Sequence, residues 1–194
     1  AVPVAALWTA RARGVPRAFT LHSSRCSVVE NLPDGSRFVL ITRDPRDVMT
    51  SFFYFESGKR RPRVEGTFSE FLRHPRYGLP AWFEHTASWL DSNNVWITYE
   101  ALKDDDVATF GTLLSYLELE VPESAIREAA RRASFETVRG LEEKKRHKPE
   151  KYKKDYRFTR SGKRGGWKEL FGEADLEYYA ELKAEIDVVV PAAT

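Results

Sequence analysis

Arg43-Asp44-Pro45-Arg46-Asp47 places two guanidinium groups in five residues, and Ser51 follows four residues later. A guanidinium fork matches the oxygens of a phosphate or sulfate, and a serine hydroxyl can add a further hydrogen bond. If the chain turns from strand to helix at Asp44, Ser51 lies about 10 Å along that helix from its cap. A long arginine side chain can cover that gap, so Arg43 and Ser51 could close on one anion. The plainer reading of the same residues is a helix cap beside a surface arginine.

A second candidate lies near the C-terminus. Lys144 to Lys168 holds twelve Lys or Arg and two acids, Glu150 and Asp155, a balance of +10 in a chain whose net charge is +2. The remainder therefore carries −8. A basic segment on an acidic body commonly meets a phosphate or a nucleic acid, although a solvated loop has the same composition. Tyr152, Tyr156, Phe158 and Trp167 within it could stack on bases. Of the four histidines, His74 and His147 read as surface residues. His22, near a strand, reads from its context alone as structural or as a general base.

The elements that must position these groups can be read from periodicity and caps. Arg37–Arg43 is β-rich and apolar on both sides, the pattern of a parallel strand covered by helices. Asp44 is a helix cap, Pro45 suits a first turn, and Asp47 complements the helix dipole. That helix is expected to run to about Glu56, before Ser57-Gly58. Short helices are expected after Thr67 and from Pro80 through AWFEHTASWLDS, with a second strand at Asn94–Thr98. Helical spacing returns at Val107, Phe110, Leu114 and Leu117, then at Ile126, Ala129 and Ala130, and a last helix spans Glu173–Val189. Strands alternating with helices predict an α/β fold, and 194 residues suit a single domain over 1–194.

Several classes fall away on composition. No run approaches the ~20 apolar residues of a membrane span. The N-terminal AVPVAALWTARARG lacks the basic start and longer apolar run of a signal peptide. The single Cys26 cannot pair internally and fits a reducing compartment, so a cytoplasmic location is expected.

In their order and spacing, these stretches resemble the cytosolic-type sulfotransferases, which use 3′-phosphoadenosine 5′-phosphosulfate as sulfuryl donor. RDPRDVMTS is similar to the family's R-N-P-[RK]-D-x-x-x-S segment, and FTRSGKRGGWKELF to its F-x-R-K-G-x-x-G-D-W-K segment. The resemblance implies that Arg43 and Ser51 grip the donor's 3′-phosphate, with Arg160, Ser161 and Gly162 closing over it. It places Tyr99 and the pair Ser134-Phe135 on either side of the adenine. PRAFTLH resembles P-R-x-x-K-T-H, which makes His22 the catalytic base and Arg17 the motif's arginine. WFEHTASWL puts His85 and Phe83 at the pocket of a small-molecule acceptor, a hydroxyl or an amine. The implied fold is an α/β domain like that of P-loop nucleotide hydrolases, a parallel sheet flanked by helices. The resemblance implies no metal and no membrane partner, and it argues against a nucleic-acid partner.

The match runs from about Pro16 to Phe171. Thr20 replaces the lysine before the family's histidine, and Gly166 replaces the aspartate before Trp-Lys. Nothing here resembles the P-K-S-G-T-T-W loop that cradles the 5′-phosphosulfate. The expectation is a chain that lacks the family's first strand and that loop. Two further readings stay open: a non-catalytic binder of 3′-phosphorylated nucleotides, and nucleic-acid binding through 144–168.

Overall fold

The strand-to-helix corner forms where its residues predict it. The computed structural model describes residues 37–89, 94–144 and 150–186. The expectations for Arg17, Thr20, His22 and Cys26 lie outside them. Strand β1 is Phe38–Thr42, followed by helix α1, Pro45–Ser57. The Asp44 carboxylate accepts from the Arg46 backbone N–H at 2.9 Å and Pro45 opens the helix, so a donor left unpaired by helix geometry is satisfied locally.

Helix α2, Phe68–Arg73, starts at a reciprocal cap. Thr67 N–H donates to Glu70 Oε2 at 2.7 Å, and Glu70 N–H donates to Thr67 Oγ1 at 3.3 Å. Helix α3 is Leu79–Ala87, shorter than the expected run through Ser92. Ser88 and Trp89 turn back on its last carbonyls: Ser88 Oγ donates to His85 O at 2.6 Å and Trp89 N–H to Thr86 O at 3.1 Å.

Strand β2, Asn94–Thr98, pairs parallel to β1 with Phe38 opposite Asn94 and Thr42 opposite Thr98. Both strands therefore end at the same edge, where Arg43 and Tyr99 emerge side by side. Helix α4, Tyr99–Asp104, has no counterpart in the sequence reading; Thr98 caps it by accepting from Ala101 N–H at 3.0 Å. Helices α5, Asp106–Tyr116, α6, Glu123–Arg132, and α7, Phe135–Lys144, follow. A 3-10 turn at Gly166–Glu169 then leads to α8, Glu173–Ile186.

The architecture is α/β, a parallel strand pair flanked by helices. Cover on both faces of β1 was expected, but Ile41 is 64% exposed, so one face is open at that position.

The core lies between α1, α2, α3 and the C-terminal segment. Met49, Phe68, Phe71, Leu72, Leu79, Phe83 and Phe171 are buried together. Phe71 meets Phe52 and Phe53 edge-on at 5.4 and 5.5 Å. Each such side chain is worth about 1.5–3 kcal/mol when removed from water. This cluster makes α1 a rigid base for the groups on its opposite side.

At the far end of α1 a carboxylate is buried among cations. Glu56, 1% exposed, accepts from Lys59 Nζ at 2.6 Å and from Arg63 N–H and Nε at 3.0 Å each. Burial acts to raise its carboxyl, but the Arg63 and Lys59 bonds together outweigh burial and hold it at about 2, below its ordinary 4.5. A depressed carboxyl stabilises the fold fully above pH 4.5, and that stability is lost as pH falls toward 2. Glu56→Gln should therefore cost about 2 kcal/mol near neutral pH. In thermal melts from pH 7 down to pH 2, the gap between the two proteins should close in the acid limb. A gap that is constant across that range would separate Glu56 from the effect.

Candidate functional site

Arg43, one residue past β1, is half-buried against three partners. Its guanidinium donates to Lys163 O at 2.8 Å, pairs with Asp47 Oδ2 at 3.2 Å, and lies 4.3 Å from the centre of the Tyr99 ring. Its Nε is buried and bonds to nothing among the described residues. Tyr99 OH donates to Gly162 O at 3.0 Å, so the ends of both strands reach the same glycine-bearing segment.

That segment is shaped by two glycines in the left-handed region, Gly162 at φ 62° and Gly165 at φ 72°. At Gly162 a Cβ would come within 2.6 Å of the Phe135 ring, so only hydrogen fits there. Phe135 thus packs on the glycine, while Ser134 caps α7 by accepting from Thr137 N–H at 3.2 Å. Ser161 is half-buried between Gly162 and Arg160. Arg160 lies 4.3 Å from the centre of the Tyr54 ring and pairs with Glu169 at 3.1 Å.

Asp47 ties this segment to α1. It is 3% exposed, and its carboxylate accepts from Gly165 N–H at 2.9 Å and Trp167 N–H at 3.0 Å. The expected role for Asp47 was to complement the helix dipole; its partners across 118 and 120 residues give it a second role. Arg46 adds to the same joint, its guanidinium 4.1 Å from the centre of the Trp167 ring.

Arg43, Ser51 and Arg160 all line one cavity of about 1360 Å³ beside α1. Its wall also holds His85 and the aromatic rings of Phe52, Tyr77 and Trp82. Phe83 stands elsewhere: it is 1% exposed, in the core between Trp82 at 5.2 Å and Tyr179 at 6.2 Å. Neighbours on a helix point about 100° apart, and here Trp82 faces the cavity while Phe83 turns into the core.

Part of the basic segment is docked rather than solvated. Lys153 N–H donates to Gly58 O at 2.8 Å and Arg60 N–H to Lys151 O at 2.9 Å. Tyr152 and Tyr156 stack on each other at 4.7 Å and pack against Phe55. Trp167 packs against Phe171. Of the four aromatics that could stack on bases, Phe158 alone is a strongly exposed ring, at 71%. A base-stacking surface is therefore not favoured. Burial, with Tyr152 and Glu142 nearby, pushes the Tyr156 phenol up to about 12, so it stays neutral.

The cavity wall thus brings together an arginine at a strand end, a second arginine and a serine hydroxyl, near a turn with two left-handed glycines. Fold and site together define an α/β domain with a cation-lined cavity beyond the carboxyl ends of its parallel strands, where open α/β sheets hold their ligands. Residues 6–185 match the family model for the sulfotransferase domain, and the chain belongs to that family.

Among its relatives, rat sulfotransferase 1 family member D1 is 24% identical over 155 residues, 75% of this chain and 52% of the relative. The chain thus spans about half the length of that curated relative. A mouse sulfotransferase solved in complex with PAP superposes with a TM-score of 0.63 at 24% identity, covering 79% of this chain and 59% of that one. A retinol dehydratase solved with androsterone and PAP gives 0.65 at 19% identity, covering 87% and 58%. At these identities the likeness to the two structures is one of fold. Among the described residues, no helix is long and apolar enough to cross a membrane.

Proposed function

We propose that this chain forms the 3′-phosphate and acceptor portion of a cytoplasmic sulfotransferase that moves a sulfuryl group from 3′-phosphoadenosine 5′-phosphosulfate to a hydroxyl or amine on a small molecule. The observation that carries the reading is the convergence of Arg43, Ser51 and Arg160 on one cavity, beside a backbone turn at Gly162 that a side chain would fill. The buried, unbonded Nε of Arg43 suits an anionic oxygen, and the residues present fit a ribose 3′-phosphate. Tyr99 and Phe135, both packed against Gly162, are proposed to bracket the adenine. The PAP named for the mouse structure supports the same ligand class.

The donor, when bound, supplies a sulfuryl group activated by its anhydride link to phosphate. Arg43, Arg160 and Ser51 hold the nucleotide's far end and so fix its direction in the cavity. His22 is proposed to take the acceptor's proton as the acceptor oxygen bonds to sulfur and the sulfur–oxygen bond to phosphate breaks toward the phosphate. His85, on the cavity wall, is proposed to face the acceptor. The androsterone in the retinol dehydratase structure supports a small-molecule acceptor.

Adenosine 3′,5′-bisphosphate should bind about tenfold to a hundredfold more tightly than adenosine 5′-monophosphate, the ratio expected of one charge-assisted fork. Arg43→Ala should abolish that preference. Arg43→Lys, which keeps a cation beside Asp47, should preserve the fold yet lose most of it. Calorimetric titration of the three proteins with both nucleotides decides the matter; equal affinities in the unaltered chain would exclude the 3′-phosphate assignment.

A further inference from the structure

The cavity carries more positive charge than the phosphate cradle uses. Six of its lining side chains are cationic, against one carboxylate, Asp155. Arg43 and Arg160 belong to the cradle. Arg63 is occupied by buried Glu56, and Arg157 pairs with Glu143 at 3.1 Å. Arg76 and Lys153 remain, and no carboxylate pairs with either among the described residues. Both are exposed at the cavity's edge, where an unpaired cation is free to meet an incoming anion.

Arg76 stands beside an aromatic wall, and Lys153 lines the same cavity. The guanidinium groups of Arg63 and Arg76 lie 4.9 and 5.6 Å from the centre of the same ring, Tyr77. Half-buried Phe52 and Trp82 extend that surface toward His85. An apolar body resting on these rings would lie in a cavity that the histidine and both cations also line.

We propose that the acceptor is a hydroxyl compound with an aromatic or apolar body and a second, anionic group, received by Arg76 and Lys153. A carboxylate, a sulfate ester or a phosphate supplies the same chemistry there. The inference rests on the proposed function and narrows it, because a cationic amine would meet two like charges at the same edge. Partial exposure screens the contacts, so the expected discrimination is moderate.

The test uses three probes with one phenol body: 4-hydroxyphenylacetate, 2-(4-hydroxyphenyl)ethanol and tyramine, which are anionic, neutral and cationic at neutral pH. Binding to the full chain is read by tryptophan fluorescence and by ligand-observed NMR, with and without saturating adenosine 3′,5′-bisphosphate. The anionic probe should bind about tenfold more tightly than the neutral one, with the cationic probe weakest. Arg76→Gln combined with Lys153→Gln should erase the ranking and leave bisphosphate affinity unchanged. Equal binding of the three probes, no detectable binding of the anionic one, or a ranking that survives the double substitution would each overturn the inference. Failure of the bisphosphate to bind, with the ranking intact, would instead count against the nucleotide reading.

Discussion

Asp47→Ala should lower stability by roughly 3–5 kcal/mol and remove the chain's preference for a 3′-phosphorylated nucleotide. The carboxylate is buried and accepts two backbone N–H groups, from Gly165 and Trp167, while pairing with Arg43. Truncation leaves both donors without partners and Arg43 without its counter-charge. A buried donor that loses its partner costs about 1–3 kcal/mol, and a half-broken ion pair costs more than an absent one. At about 2–4 °C per kcal/mol for a domain of this size, the melting temperature should fall by roughly ten degrees.

The functional loss follows from the same geometry. The Gly162–Gly165 turn would lose its anchor on α1, and Arg43 would no longer be aimed. Asp47→Asn separates the two effects, since its one carbonyl oxygen can still accept from the backbone. It should recover part of the stability and little of the nucleotide preference. Melting curves with adenosine 3′,5′-bisphosphate and adenosine 5′-monophosphate read both quantities. An Asp47→Ala protein with unchanged melting and unchanged nucleotide preference would show that the joint does not hold the site.

His22→Ala should reduce kcat by about a hundredfold or more in any form of the protein that transfers sulfate, with donor affinity nearly unchanged. A general base acts on the acceptor's proton in the transition state and contributes nothing to holding the nucleotide. Only neutral imidazole can accept that proton, so activity should also fall on acidification. His22→Ala should lose this acid limb along with its turnover. Single-turnover rates across pH 5–9 make the comparison directly. Full turnover in His22→Ala would move the base to another residue, with His85 on the cavity wall the next to substitute.

The features legible in the amino-acid order are local. The corner at Arg43–Ser51 is legible because its signals lie within one turn: an apolar run, a capping Asp44, and Pro45 at the only helical position that tolerates it. The start of α2 after Thr67 is legible for the same reason, its cap being local. Strand β2 follows from five residues of β-forming character, and family motifs locate Arg160 and Gly162. Helices α4 and α7 have no counterpart in the sequence reading; for α4 the reason is that Thr98, its cap, also reads as the last residue of a strand. Helix α3 ends early because Ser88 and Trp89 fold back onto its carbonyls, a choice that periodicity does not record.

Which residues meet depends on long-range packing. Asp47 looked like a dipole-complementing acid because its bonding partners lie 118 and 120 residues away, beyond any local pattern. Tyr152 and Tyr156 looked free to stack on bases, yet packing on α1 occupies them: at Gly58 a Cβ would stand 2.0 Å from the Tyr156 ring. Phe83 and His85 are two residues apart in one helix, and only the direction of the core sends the first inward and leaves the second on the cavity wall. The physical reason is common to all three. Caps, turns and periodicity are energies of neighbouring residues, whereas burial and ion pairing are settled by which surfaces the folded chain brings together.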